Sequence, residues 1–108
     1  MNRLTIQHDR RHGVWVLRLG GTLDLVSAPK LKLALVEVAR AGAREVVLDL
    51  AGLRSLDEVG LAVVLCQARH LSRRGGRLLL VDPAPGVREV LEGTRAAQHL
   101  AVLPHAAA

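Results

Sequence analysis

The sequence contains no phenylalanine and no tyrosine, and Trp15 is its only aromatic residue. That absence removes the stacking platform on which single-stranded RNA or DNA is ordinarily read. The basic excess is dispersed: fifteen Lys and Arg stand against ten Asp and Glu, for a formal charge of +5. Short clusters occur only at Arg10-Arg11-His12 and Arg73-Arg74-Gly75-Gly76-Arg77. They read as solvated loop ends, so no nucleic-acid partner is expected. Cysteine is equally scarce. Cys66 stands alone, which rules out an internal disulfide, and without a CxxC or a neighbouring Cys/His pair there is no zinc or redox signature. A reducing, cytoplasmic setting is the expectation. Long apolar runs are missing too. The longest, Leu61 to Cys66, falls far short of the ~20 residues that cross a bilayer. The start, Met1 to His8, has no apolar signal core, so neither membrane insertion nor secretion is expected.

Signatures of catalysis are also absent. The glycines form neither a GxxxxGK[ST] loop nor a GxGxxG turn, so nothing cradles a nucleotide phosphate. Ser27, Ser55 and Ser72 are the only serines, and none lies in a GxSxG setting. His8, His12, His70, His99 and His105 fall in loops, on polar faces or in the tail. Asp24, Asp49 and the pair Asp57-Glu58 fall near element ends, where three acids could hold a divalent cation as in a receiver-type phosphoacceptor domain. Such a domain alternates strand and helix from its start and has a lysine after a late strand, where this chain has Asp82-Pro83. The simpler reading makes Asp57 a helix N-cap and Glu58 a first-turn acid, each contributing ~0.5–1 kcal/mol. No enzyme, metal or cofactor is expected.

What the sequence does have is 50% hydrophobic residues, 23% charged ones and a length of 108, enough for one globular domain spanning 1–108. Residues 3–8 alternate, and a second strand over Val14 to Leu19 follows a polar stretch, which is a hairpin pattern. Trp15, Leu17 and Leu19 share an inward face, and Gly20-Gly21 breaks the strand. Ser27 caps a first helix with Pro29 in its first turn and a stripe of Leu31, Ala34, Leu35 and Val38. Glu45 to Leu50 and Leu78 to Val81 are nearly continuous apolar runs, as in strands covered on both faces. Between them lies a second helix, from Asp57 to about Arg74, with a core stripe of Leu61, Val64, Leu65, Ala68 and Leu71. Val87, Val90 and Leu91 outline a short third helix. Leu100 to Leu103 supply a last strand or a helical turn before a frayed tail, Pro104 to Ala108. The class is therefore α/β, a mixed β-sheet flanked by helices in the order β-β-α-β-α-β-α, with a possible last strand.

The second helix is unusual. Val59, Ala62, Val63 and Cys66 occupy positions that an amphipathic helix normally gives to polar residues, while Gln67, Arg69, His70 and Arg73 restore polarity further along. Such a patch is covered either by another element of the chain or by a partner. Gly60 favours a partner, because it permits another backbone to come close.

The whole chain resembles the STAS family, the sulfate-transporter and anti-sigma-factor-antagonist domain. Val16-Leu17-Arg18-Leu19-Gly20-Gly21-Thr22-Leu23-Asp24 is similar to the family's strand ending in G-x-L-D. Val46-Val47-Leu48-Asp49-Leu50 is similar to its V-V-L-D-L strand, and Leu56-Asp57-Glu58-Val59-Gly60-Leu61 to its I-D-S-[ST]-G-L segment. The resemblance implies a non-enzymatic interaction module that acts by partner switching. It binds a histidine-kinase-like anti-sigma factor through the loop and helix that begin at this motif, and releases it once the first serine of the motif is phosphorylated. Here Glu58 takes that serine's position and Val59 the next, while Asp24, Asp57 and Gly60 match the family's switch loop. The site expected from the resemblance is thus Glu58 as phosphosite equivalent, a switch loop of Asp24, Asp57, Val59 and Gly60, and a docking surface of Val59, Ala62, Val63 and Cys66. An alternative within the family is the cytoplasmic STAS subunit of a lipid-transport ABC complex, docked on its ATPase by the same helix. A third is a ligand-sensing domain.

Overall fold

Each strand-to-strand connection after the first hairpin is parallel and steps one place in the same direction, and this decides the architecture. The computed structural model describes residues 3–94 and 100–103. Its strands are β1 (Thr5–Arg11), β2 (Val14–Leu23), β3 (Glu45–Leu56), β4 (Arg77–Val81) and β5 (Ala101–Leu103), and its helices α1 (Ala28–Arg40), α2 (Glu58–Arg73) and α3 (Pro85–Glu92). The sheet runs β1-β2-β3-β4-β5, with β1 antiparallel to β2 and all other neighbours parallel. Right-handed crossovers that always advance the same way put every helix on one face. Leu17, Leu19, Val46, Leu48, Leu50, Leu78 and Leu80 point to that face and are buried in one contiguous core with residues of all three helices. With phenylalanine and tyrosine missing, leucine carries the core. Each fully buried leucine contributes about 2 kcal/mol relative to an exposed one.

The mixed sheet and the element order agree with the sequence reading, and the possible last strand is real: β5 pairs with β4. Four local expectations need correction. β3 and β4 are not covered on both faces, since Val16, Val47 and Leu79 on the far face are only half-buried. The Gly20-Gly21 pair does not end β2. It sits at two register shifts against β3, with Gly21 at φ 83°, so the strand bulges and continues to Leu23. β3 likewise runs on to Leu56, because Gly52 to Leu56 pair with this continuation. Trp15 lies on the core face but is half-buried, and the Arg10 guanidinium stacks 5.4 Å from its ring.

The hairpin itself closes at His12-Gly13, both at positive φ (52° and 81°), the requirement of a two-residue turn that matches strand twist. Among the described residues no helix is long and apolar enough to cross a membrane. The expected tail, Pro104 to Ala108, and His99 and His105 lie outside the described residues.

Candidate functional site

The extensions of β2 and β3 bring the β2–α1 loop against the start of α2, at the carboxyl ends of two parallel strands, where α/β proteins usually place their sites. Asp57 joins the two. It caps α2, with Oδ1 accepting from the Gly60 N–H at 2.8 Å, while Oδ2 accepts from the Leu25 N–H at 3.1 Å. Its own N–H donates to the Leu23 carbonyl at 3.1 Å. The capping role was legible in the sequence, whereas the tether to a loop 32 residues away was not.

Asp24 organises the loop from inside. Its Oδ1 accepts from the N–H groups of Val26 and Ser27, each at 3.0 Å, and lies 3.1 Å from Ser27 Oγ. Ser27 therefore does not cap α1 with its side chain, as expected from its position. Its hydroxyl turns back, lying 2.8 Å from the Thr22 carbonyl and accepting from the Asp24 N–H at 2.9 Å. Such local side-chain to backbone bonds compete with a regular cap. The Ser27 N–H holds the Asp24 carboxyl below its ordinary value of 3.8, with the Ser27 hydroxyl and Val26 N–H adding to the effect. A carboxyl lowered in the folded state contributes order that is complete above that ordinary value and lost as pH falls through the lowered one. Exchange protection of the Val26 and Ser27 amides is thus expected to stay constant between about pH 5 and 8 and to fall only below about pH 4. Loss of protection near neutrality would contradict this arrangement.

With the loop fixed, Leu25 and Val26 stand 68% and 87% exposed beside the start of α2, where Val59 is 40% exposed. Ala62 and Cys66 are exposed on the same outward side of α2, three and seven positions after Val59. Val63 is different. It is half-buried and packs against the core, so the α2 surface is narrower than expected and the β2–α1 loop widens it. Leu25 and Val26 carried no assigned role in the sequence. The available signal was two branched aliphatic residues lying between Asp24 and Ser27, outside any periodic stripe.

Glu58 opens α2, is exposed, and makes no hydrogen bond or ion pair with any described residue. The helix dipole favours its charge there, and it stands between Asp57, which holds the Leu25 N–H, and the exposed Val59. The nearby hydroxyls of Ser27 and Ser55 are engaged, the latter donating to Thr22 Oγ1 at 3.1 Å. Gly60 also has a different role from the one expected. It is buried, and a Cβ there would lie 2.6 Å from Leu23 Cγ and 2.9 Å from the Leu23 carbonyl oxygen. The backbone it admits belongs to its own chain, not to a partner.

The four acids weighed as a cation site do not converge. Asp49 lies on the far face of the sheet, 3.8 Å from Arg18, and among the described residues no three His, Cys, Asp or Glu group together. Removing Asp57 tests the tether directly. Asp57→Ala is expected to cost about 0.5–2 kcal/mol through the lost cap and to raise hydrogen exchange at Leu25. Exchange that rises at Gly60 but not at Leu25 would show that the tether is idle.

Comparison with known proteins converges on one family. The STAS domain model matches residues 5–106. BtrV of Bordetella bronchiseptica, described as a candidate anti-sigma factor antagonist, is 37% identical over 84 residues, covering 78% of this chain and 72% of that protein. The anti-sigma F factor antagonist of Paenibacillus polymyxa is 29% identical over 90 residues, covering 82% and 77%. Among solved structures, an anti-sigma factor antagonist from Mycobacterium paratuberculosis superposes with a TM-score of 0.84 at 26% identity, covering 94% of this chain and 86% of that one. With its one-sided sheet, its element order and the match over residues 5–106, the chain belongs to the STAS domain family.

Proposed function

We propose that this protein is an anti-sigma-factor antagonist that docks on an anti-sigma factor of the histidine-kinase-like ATPase type. The docking surface combines Leu25 and Val26 of the β2–α1 loop with Val59, Ala62 and Cys66 of α2. Glu58 stands in it where a phosphorylatable serine stands in relatives that switch. One observation carries the proposal: an exposed carboxylate with no partner among the described residues, at the start of a helix whose next residue, Val59, is an exposed apolar side chain. A carboxylate supplies a permanent −1 charge where phosphoserine would supply about −1.5 to −2. The surface therefore holds a fixed charge at the point that phosphorylation would otherwise toggle.

Affinity purification of the tagged full chain from its own cells, with Cys66 alkylation as a second readout, tests this. An anti-sigma ATPase that co-purifies and slows alkylation of the exposed Cys66 supports the proposal. An ABC ATPase in its place, or capture of the anti-sigma ATPase with Cys66 reacting as fast as in the free protein, overturns it.

A further inference from the structure

Toward the other end of the helix pair, α1 from Lys32 onward and the C-terminal half of α2 leave a groove of about 350 Å³ between them. Lys32 and Arg40 form one wall, His70 and Arg74 the other, and Gln67 and Leu71 lie between. No carboxylate lines this groove, and none of its Lys and Arg side chains takes part in an ion pair among the described residues. Gln67 was expected to restore polarity to the helix surface. Instead it is 7% exposed and the only buried polar residue among those described. Its amide has no hydrogen-bond partner there, although neither amide atom is fully sealed from the groove. Its polar atoms therefore stay open to the groove, where a group entering from outside can hydrogen-bond to them.

The negative ends of the two helix dipoles account for Arg40 in the last turn of α1 and for Arg74 just past α2. They do not account for Lys32, two turns earlier, or for the buried amide. We propose that the groove binds a small polyanion carrying phosphoryl or clustered carboxylate groups. Lys32, Arg40 and Arg74 meet its charge and Gln67 reads a polar edge. The volume is at the small end of the roughly 300–1,000 Å³ typical of small-molecule sites. This site is separate from the docking surface and does not depend on it.

The test is an amide NMR titration of the full chain with sodium pyrophosphate and, separately, with citrate, at constant ionic strength. The expected result is saturable shifts confined to the groove-lining halves of α1 and α2 with at least one of the two anions. The tighter of the two identifies the class. Arg40→Glu and Arg74→Glu should each weaken that binding roughly tenfold or more, as loss of a charge-assisted contact does. Gln67→Leu, similar in volume, should weaken it without lowering the melting temperature. No saturable binding of either anion overturns the proposal. So do shifts of equal size at Arg10 and Arg11, or an affinity unchanged in Arg40→Glu and Gln67→Leu.

Discussion

Replacing Gly60 by alanine is expected to destabilise the fold by about 1–3 kcal/mol, the usual cost of forcing a methyl group into a filled site. At a helix position the ordinary expectation has the opposite sign, since alanine exceeds glycine in helix propensity by up to ~1 kcal/mol. The packing term wins because one obstruction is backbone. The Leu23 carbonyl, 2.9 Å from the added Cβ, also accepts the Asp57 N–H, so moving it disturbs the cap and the loop together. For a domain of this size the fall in melting temperature is roughly 4–8 °C per kcal/mol. Thermal unfolding followed by circular dichroism reads it. A melting temperature that rises would show that α2 and β2 are not in close contact at Gly60.

The second large effect is on binding, at Glu58. A partner built to meet a neutral serine must desolvate this carboxylate, at a cost on the order of 1–3 kcal/mol if nothing pairs with it, or roughly ten- to a hundredfold in affinity. Glu58→Ser is therefore expected to bind an ordinary switching anti-sigma kinase ten- to a hundredfold more tightly, on the same relation, and to become its phosphoacceptor, whereas the wild type is not phosphorylated there. A partner that supplies Arg or Lys reverses the sign, and Glu58→Ser then binds more weakly with a reduced salt dependence. Titration of both proteins at two salt concentrations, with localisation of any phosphate by mass spectrometry, separates the cases. Identical binding at both salts would reduce Glu58 to a first-turn helix acid.

Periodicity located the first four strands and the three helices, because leucine and valine spacing records which face is buried, while Leu100 to Leu103 stayed open between strand and turn until the pairing with β4 decided it. It did not show that one sheet face is left open. Val47 and Leu79 look the same in sequence whether a helix covers them or not, and only the strand order β1-β2-β3-β4-β5 puts all three helices on the other side. The Gly20-Gly21 pair misled for a related reason. Glycine marks both a strand end and a bulge, and the pairing of β2 with the far half of β3 decides between them. At the site, Asp57 as cap and Glu58 as first-turn acid could be read locally. The Asp57–Leu25 bond and the Gly60–Leu23 contact join segments more than thirty residues apart, and no local pattern encodes them. The α2 pattern reads Val63 as docking surface and Gln67 as solvated, whereas Val63 packs against the core and Gln67 is buried. Gln67 lies toward α1, whose packing on α2 the α2 sequence does not state.

The most direct test of the docking surface is a titration of the purified anti-sigma factor against wild type, Val26→Asp and Ala62→Asp, with the melting temperature of each variant measured alongside. Both positions are exposed in the free protein, so a charge there should leave the fold intact, whereas a desolvated, unpaired aspartate in the complex should weaken binding about tenfold or more. The expected result is two variants that melt with the wild type and bind at least tenfold more weakly. Unchanged affinity in both variants, with melting also unchanged, would contradict the assignment of Leu25, Val26, Val59, Ala62 and Cys66 as the surface that meets the partner.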